Sequence, residues 1–324
     1  MAQDIIQIEG LSKDYITRRK PFRALDKLNL TVHEGEIFGY LGPNGAGKTT
    51  TIRMLLDLIR PTEGRATILG LDAHEGSLEL RKRVGFTPGE LNLWKGERAS
   101  DIIRYVSNVR RGVDMAYVHE LTEQLQFDPS KKMRDYSSGN KRKMGLILAL
   151  MHKPEVLILD EPTTGLDPLI QHTFHQMVRE IAAEGRTVFL SSHVLSEVQA
   201  ICKRVGVLHD GKLEAVERVE TLMQADFRWV TLTYRDLANV VEKLSAVPGV
   251  SDVSVNGNTI ELRIRGDFDP LLRAATEQYV VNMHVKEPTL EEIFLNYYDE
   301  SIGGTNNSNG KDQSTDVTTG EAAS

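Results

Sequence analysis

The sequence predicts an α/β fold with a parallel sheet at its centre, followed by a smaller α+β domain. A Gly-rich phosphate-binding loop lies between an apolar strand-like run and a helical pattern. Further on, Val156-Leu157-Ile158-Leu159-Asp160-Glu161 is a continuous apolar run that ends in two acids. A buried parallel strand that delivers carboxylates at its C-terminal end reads this way. From about Phe227 the pattern changes to short strands interleaved with two short helices.

Taken in order, residues 36–41 lead into Gly42-Pro43-Asn44-Gly45-Ala46-Gly47-Lys48-Thr49-Thr50, which fits G-x-x-x-x-G-K-[S/T]. Ile52, Leu55, Leu56 and Ile59 then recur at helix spacing. Glycines let the backbone curl with its N–H groups turned inward on an anion, and the helix adds its positive N-terminal end. Lys48 can reach the β- and γ-phosphates of a nucleotide, and the Thr49 hydroxyl can ligate Mg²⁺. Asp160 is positioned to hold the same ion through water, and Glu161 to polarise an attacking water.

Three further segments surround this pair. Pro162-Thr163-Thr164-Gly165-Leu166-Asp167 comes directly after it. Tyr136-Ser137-Ser138-Gly139-Asn140 precedes an apolar-periodic helix at 143–152; alone, it reads as a helix N-cap. Ser192-His193 ends a strand at 187–191 and opens another helix.

Phosphate loop, S-x-G element, Asp-Glu strand, Thr-Gly-Leu-Asp turn and lone His, in that order, resemble the ATP-binding subunits of ABC transporters over residues 5–222. The resemblance implies ATP and Mg²⁺ as cofactors, and two ATPase units facing head to tail. Ser137, Ser138, Gly139 and Asn140 would then contact the ATP held by the other unit's loop, as suits a hydroxyl and a glycine at a helix N-terminus. It also places His193 on the γ-phosphate, Asp167 at the seam between units, and Tyr15, in Leu11-Ser12-Lys13-Asp14-Tyr15, against adenine. Residues 42–50 would hold the nucleotide, with Thr49 and Asp160 on the metal and Glu161 and His193 in catalysis.

The sequence departs from the family pattern twice. Leu-Ser-Gly-Gly-Gln becomes Tyr136-Ser137-Ser138-Gly139-Asn140, which keeps the serine and glycine that face phosphate. Val84-Gly85-Phe86-Thr87-Pro88 normally precedes a Gln that approaches Mg²⁺; here Gly89 and then Glu90 take its place, and Glu90 or a water is left to substitute.

Composition narrows the function classes. The net charge is −7, and the basic clusters Arg18-Arg19-Lys20, Arg81-Lys82-Arg83 and Lys141-Arg142-Lys143 carry no interleaved aromatics, so a nucleic-acid partner is not expected. The first two clusters read as solvated faces, and the third as positive potential at the second unit's ATP. The single cysteine, Cys202, reads as a small core residue in a reducing compartment. His172 and His175 read as surface histidines. With no membrane-length apolar run and no signal sequence, a cytoplasmic protein held at the inner membrane face by integral-membrane subunits is expected.

Domain boundaries are expected at 1–225, with a helical subdomain at about 97–153, then 226–300, and a disordered Gly/Asn/Ser/Thr-rich tail at 301–324. Tyr117, Val118, Leu121 and Leu125 form one apolar stripe of the subdomain. Leu91, Leu93 and Trp94 either enter its core or line the face that receives a membrane subunit. In the second domain, two strands paired across Asn256-Gly257-Asn258 sit within a β-α-β-β-α-β order that resembles a ferredoxin-like fold. A helix capped by Thr289 comes next, and Pro288-Thr289-Leu290-Glu291-Glu292-Ile293-Phe294 resembles the subgroup serving type-2 exporters of drugs, antibiotics and polysaccharides.

The function expected is therefore the ATP-hydrolysing subunit of an ABC exporter, paired with a second copy or a paralogue. The alternative is an ABC-type ATPase acting on ribosomes or chromosomes, which would need two units in one chain or a long coiled coil. A P-loop kinase or GTPase leaves the S-x-G element and His193 without a role.

Overall fold

Alternating apolar strands and glycine turns organise the first part of the chain into two sheets. The computed structural model describes residues 3–16, 21–222, 227–237, 240–288 and 292. β1 (Asp4–Ile16) and β2 (Pro21–His33) pair antiparallel, and β3 (Ile37–Leu41) delivers the phosphate loop to α1 (Lys48–Leu55). β4 (Glu63–Ile68) and β5 (Leu71–Asp72) complete an antiparallel sheet ordered β2-β1-β4-β5. α2 (Ser77–Arg83) and β6 (Val84–Thr87) then lead to the predicted helical insertion: α3 (Ala99–Arg110), α4 (Met115–Gln124), a 3-10 turn (Met133–Asp135) and α5 (Ser138–Leu150).

The unit continues through β7 (Val156–Asp160), α6 (Pro168–Ala183), β8 (Thr187–Ser192), α7 (Leu195–Ile201), β9 (Arg204–His209), β10 (Lys212–Arg218) and α8 (Val219–Leu222). The second sheet is ordered β10-β9-β3-β8-β7-β6, parallel except for β10. Every residue of β7 and β8 is buried, which is why both read as unbroken runs rather than alternations. β3, β7 and β8 end side by side, so the loops that leave these three strands meet at one edge of the sheet.

Two compact units divide the chain, Met1–Gln224 and Ala225–Ser324. The second contains β11 (Phe227–Tyr234), α9 (Val240–Ser245), β12 (Val250–Asn256), β13 (Thr259–Arg265), α10 (Asp269–Ala275) and β14 (Val280–Lys286). Its antiparallel order, β12-β13-β11-β14, is the ferredoxin-like arrangement read from the sequence. Gly257 takes φ 58 at the β12 to β13 turn, where its missing Cβ removes the steric penalty.

The helix expected at 143–152 starts five residues earlier, at Ser138, because the Ser137 hydroxyl accepts from the Asn140 N–H and closes the first turn. The basic cluster at 18–20, the tail at 301–324 and, apart from Glu292, the helix expected from Thr289 lie outside the described residues. Among the described residues, no helix is long and apolar enough to cross a membrane.

Candidate active site

The loop after β3 is shaped by glycines at its base and open at its mouth. A Cβ on Gly42 would stand 2.3 Å from the Leu208 carbonyl, and one on Gly47, at φ 110, 2.7 Å from that of Ala24. Gly45, at φ 88, faces open space. The backbone is thus pressed into a curl that side chains would prevent.

Lys48 is only 6% exposed. Its ammonium donates to the carbonyls of Gly42 at 2.5 Å and Pro43 at 3.1 Å, and lies 3.4 Å from Glu161 Oε1. A buried cation held by loop carbonyls and one acid is a ready counter-charge for phosphate.

β7 delivers the two acids in different ways. Asp160 is buried, and both its carboxylate oxygens are engaged: Oδ1 accepts from Ser191 Oγ at 2.6 Å, and Oδ2 from Thr49 Oγ1 at 2.9 Å. Glu161 takes a left-handed backbone, φ 50, at a cost of about 1–3 kcal/mol for a non-glycine residue. This turn aims its carboxylate between Lys48 and His193, whose Nδ1 lies 2.7 Å from Glu161 Oε2. The Glu161 N–H reaches both the carbonyl and the hydroxyl of Ser191, each at 3.2 Å.

Lys48, Thr49, Asp160, Glu161 and His193, predicted from separate segments, therefore converge. Among the described residues, no three His, Cys, Asp or Glu side chains could by themselves hold a metal. A hydroxyl and a carboxylate meeting beside a phosphate loop nevertheless fit Mg²⁺, which takes few protein oxygens and completes its shell with phosphate and water.

The remaining predicted residues lie elsewhere. Ser137 caps α5, and its Oγ also receives the Asn140 side chain at 3.1 Å. Gly139 packs so tightly that a Cβ would stand 2.4 Å from the Gly165 carbonyl, joining the S-x-G element to the Thr-Gly-Leu-Asp turn. Asp167 caps α6 by accepting from the Ile170 N–H at 3.0 Å. Tyr136, in place of the family's Leu, is buried against Phe127, and its hydroxyl donates to the Asp128 carbonyl at 2.5 Å. Tyr15 is half-buried with the Lys13 ammonium 5.4 Å from its ring centroid.

Several expectations change. Arg142 and Lys143, read from the sequence as positive potential at a second unit's ATP, are buried, because α5 turns that side inward. His175 is half-buried, and burial lowers its pKa; it is not a surface histidine as His172 is. Trp94 is 56% exposed and meets Tyr105 edge-on at 5.4 Å. Cys202 is buried, as expected of a core residue. The place of Ser191 beside Asp160, and that of Arg142 beside Pro88 and Gly89, are not readable from the sequence. For Ser191 the available signal was a pair of serines closing an otherwise apolar strand.

Residues 25–164 match the ABC transporter family, and residues 224–298 match the family of DrrA1-3-like ATP-binding protein C-terminal domains. The bacitracin transport ATP-binding protein BcrA of Bacillus licheniformis is 38% identical over 93% of this chain and 98% of its own length. The Enterococcus faecalis protein of the same name is 31% identical over 93% of this chain and 97% of its own length. In fold, the dimeric structure of MJ0796, a bacterial ABC transporter cassette, superposes with a TM-score of 0.62 at 23% identity, over 66% of this chain and 99% of that one. The chain belongs to the ABC transporter ATP-binding proteins.

Proposed function

We propose that this chain is the ATPase of an exporter of antibiotic-like molecules, working as a pair at the inner membrane face on separate integral-membrane subunits. The convergence of Lys48, Thr49, Asp160, Glu161 and His193 at one sheet edge carries the reading. The loop at 42–50 receives the phosphates of ATP, Tyr15 the adenine, and Lys48 moves its donors from loop carbonyls to phosphate oxygens. Thr49 and Asp160 would hold Mg²⁺, which would supply charge neutralisation at the phosphates. Glu161 accepts the proton of the attacking water, while His193 orients its carboxylate and contacts the γ-phosphate. Residues 137–140 of a second copy close over the same ATP, with Asp167 at the seam.

The relatives named for bacitracin transport support export, as does the match of the second unit to a DrrA-like C-terminal domain. Nothing among them favours action on ribosomes or chromosomes. The division of labour proposed is an ATPase domain at 1–225 and a C-terminal domain at 226–300 without chemistry of its own. Glu161→Gln should lower hydrolysis by roughly 10²–10⁴-fold, the usual worth of a positioned base, while ATP binding persists. Turnover at the wild-type rate would reject Glu161 as the base.

A further inference from the structure

Position 89 lacks the side chain that would approach the metal-side acid, and another side chain reaches the same turn from the opposite direction. A Cβ built on Gly89 would stand 3.4 Å from Asp160 Oδ2, in van der Waals contact. With glycine there, the turn at Pro88 and Gly89 offers its backbone carbonyls. Arg142 of α5 takes them. Its Nη1 donates to the Pro88 carbonyl at 2.5 Å and, at 3.4 Å, to the carbonyl of Asp160, while Nη2 donates to the carbonyl of Gly89. The side chain is 7% exposed, so these carbonyls replace water around a buried cation.

The approach is built into the packing. A Cβ on Gly85 would stand 2.3 Å from the Ala149 carbonyl, and one on Gly145 3.2 Å from Thr87 Cγ2. Two glycines thus bring α5 close against β6, and the planar guanidinium spans the residual gap to several acceptors at once. A lysine ammonium, a single point of charge, cannot fork in that way.

We propose that Arg142 is a positioning residue for ATP hydrolysis, clamping the turn at Pro88 and Gly89 to the end of β7 and so fixing Asp160 and Glu161 from the helix that Ser137 caps. The inference rests on the function proposed for the site. It gives the missing side chain at 89 a replacement within the chain, and it makes that replacement part of the element that would contact a second copy's ATP. Glu90, exposed beside the turn, is not needed for the role.

The test uses the whole chain with Arg142→Gln, Arg142→Lys and the double variant Gly89→Gln/Arg142→Gln. For each, kcat, KM and binding of a fluorescent ATP analogue would be measured. Arg142→Gln should lose roughly 10–100-fold in kcat, as small misplacements of reacting groups do, with KM and nucleotide binding little changed. Arg142→Lys should be slowed in the same sense, and it decides the matter if Arg142→Gln does not fold. Gly89→Gln in the double variant should restore much of kcat by supplying a side chain beside Asp160. Wild-type kcat in a folded Arg142→Lys or Arg142→Gln, or equal loss in kcat and in nucleotide binding, would overturn the proposal. Glu161→Gln measured alongside separates the two readings: if it too turns over normally, the site assignment itself has failed.

Discussion

The two units solve the same problem, burying apolar sheets under helices, with different tolerance for polarity. In Met1–Gln224 the buried side chains include Lys48, Thr51, Arg142, Lys143, Asp160, Ser191 and Ser192. In the second unit no charged side chain is buried among the described residues, the Tyr234 hydroxyl donates to the Ala275 carbonyl, and Val230, Leu232, Ile260, Leu262 and Ile264 meet Val240, Leu244 and Leu271. Among the described residues, the first unit holds eight non-glycine residues in left-handed backbone and the second holds one. Asp252 adopts it on the exposed face of edge strand β12, beside a register shift and paired with Arg263. Glu161 adopts it at a buried strand end, aimed at Lys48 and His193. Buried charge and backbone strain oppose folding, and at Glu161 a left-handed residue sits beside the buried Lys48 and Asp160, so both costs fall on one strand end.

This contrast should break first at Lys48. Lys48→Ala removes the counter-charge for the phosphates and should abolish steady-state ATPase. Its melting temperature should change little or fall, because the relief of burying a cation is offset by leaving Glu161 and the Gly42 and Pro43 carbonyls without their donor. Normal hydrolysis in the purified variant would end the phosphate-loop assignment. Leu262→Ala should do the reverse. Truncating a fully buried leucine should destabilise the second unit by about 2–5 kcal/mol in a denaturant titration, with turnover per folded molecule kept. A large fall in kcat at unchanged stability would give the second unit a part in catalysis.

Ser191→Ala sharpens the comparison within the first unit. It strips Asp160 Oδ1 of its donor in a buried site, which should cost about 1–3 kcal/mol and slow hydrolysis as the acids lose their alignment. Wild-type stability and rate together would mean the bond is idle. The smallest effect expected is one of pH. His152 is half-buried near Arg110; burial first, and then that charge, push its pKa from 6.5 down to about 4. The folded state keeps it neutral where the unfolded chain already binds a proton, so stability falls as pH drops from 6.5 towards 4 and levels off below. His152→Gln should flatten that part of the stability profile; an unchanged slope would assign it to other groups.

What could be read from the sequence was what is local. The loop at 42–50 carries its function in consecutive residues, and the second unit in period-two strands and the Asn256-Gly257-Asn258 turn. Asp160 and Glu161 were legible because a buried parallel strand ends abruptly in acids. Ser191 was not, since its meaning lies in facing Asp160 across to β8, a register set by strand order. The contacts of Arg142 are hidden for a related reason: the sequence shows Lys141-Arg142-Lys143 only as positive charge, and it is the close packing at Gly85 and Gly145 that turns Arg142 towards Pro88 and Gly89. The left-handed turn at Glu161 has no sequence signature, since nothing about a glutamate favours it.

On the function proposed, the strand-end site works only when a second copy closes over its ATP. The most direct measurement is the solution mass, by light scattering, of the 324-residue chain carrying Glu161→Gln, with and without ATP and Mg²⁺. Because this variant should bind ATP without consuming it, its mass should double when ATP is added and return to that of one chain when ATP is removed. A single-chain mass in a sample shown to have ATP bound would contradict the account.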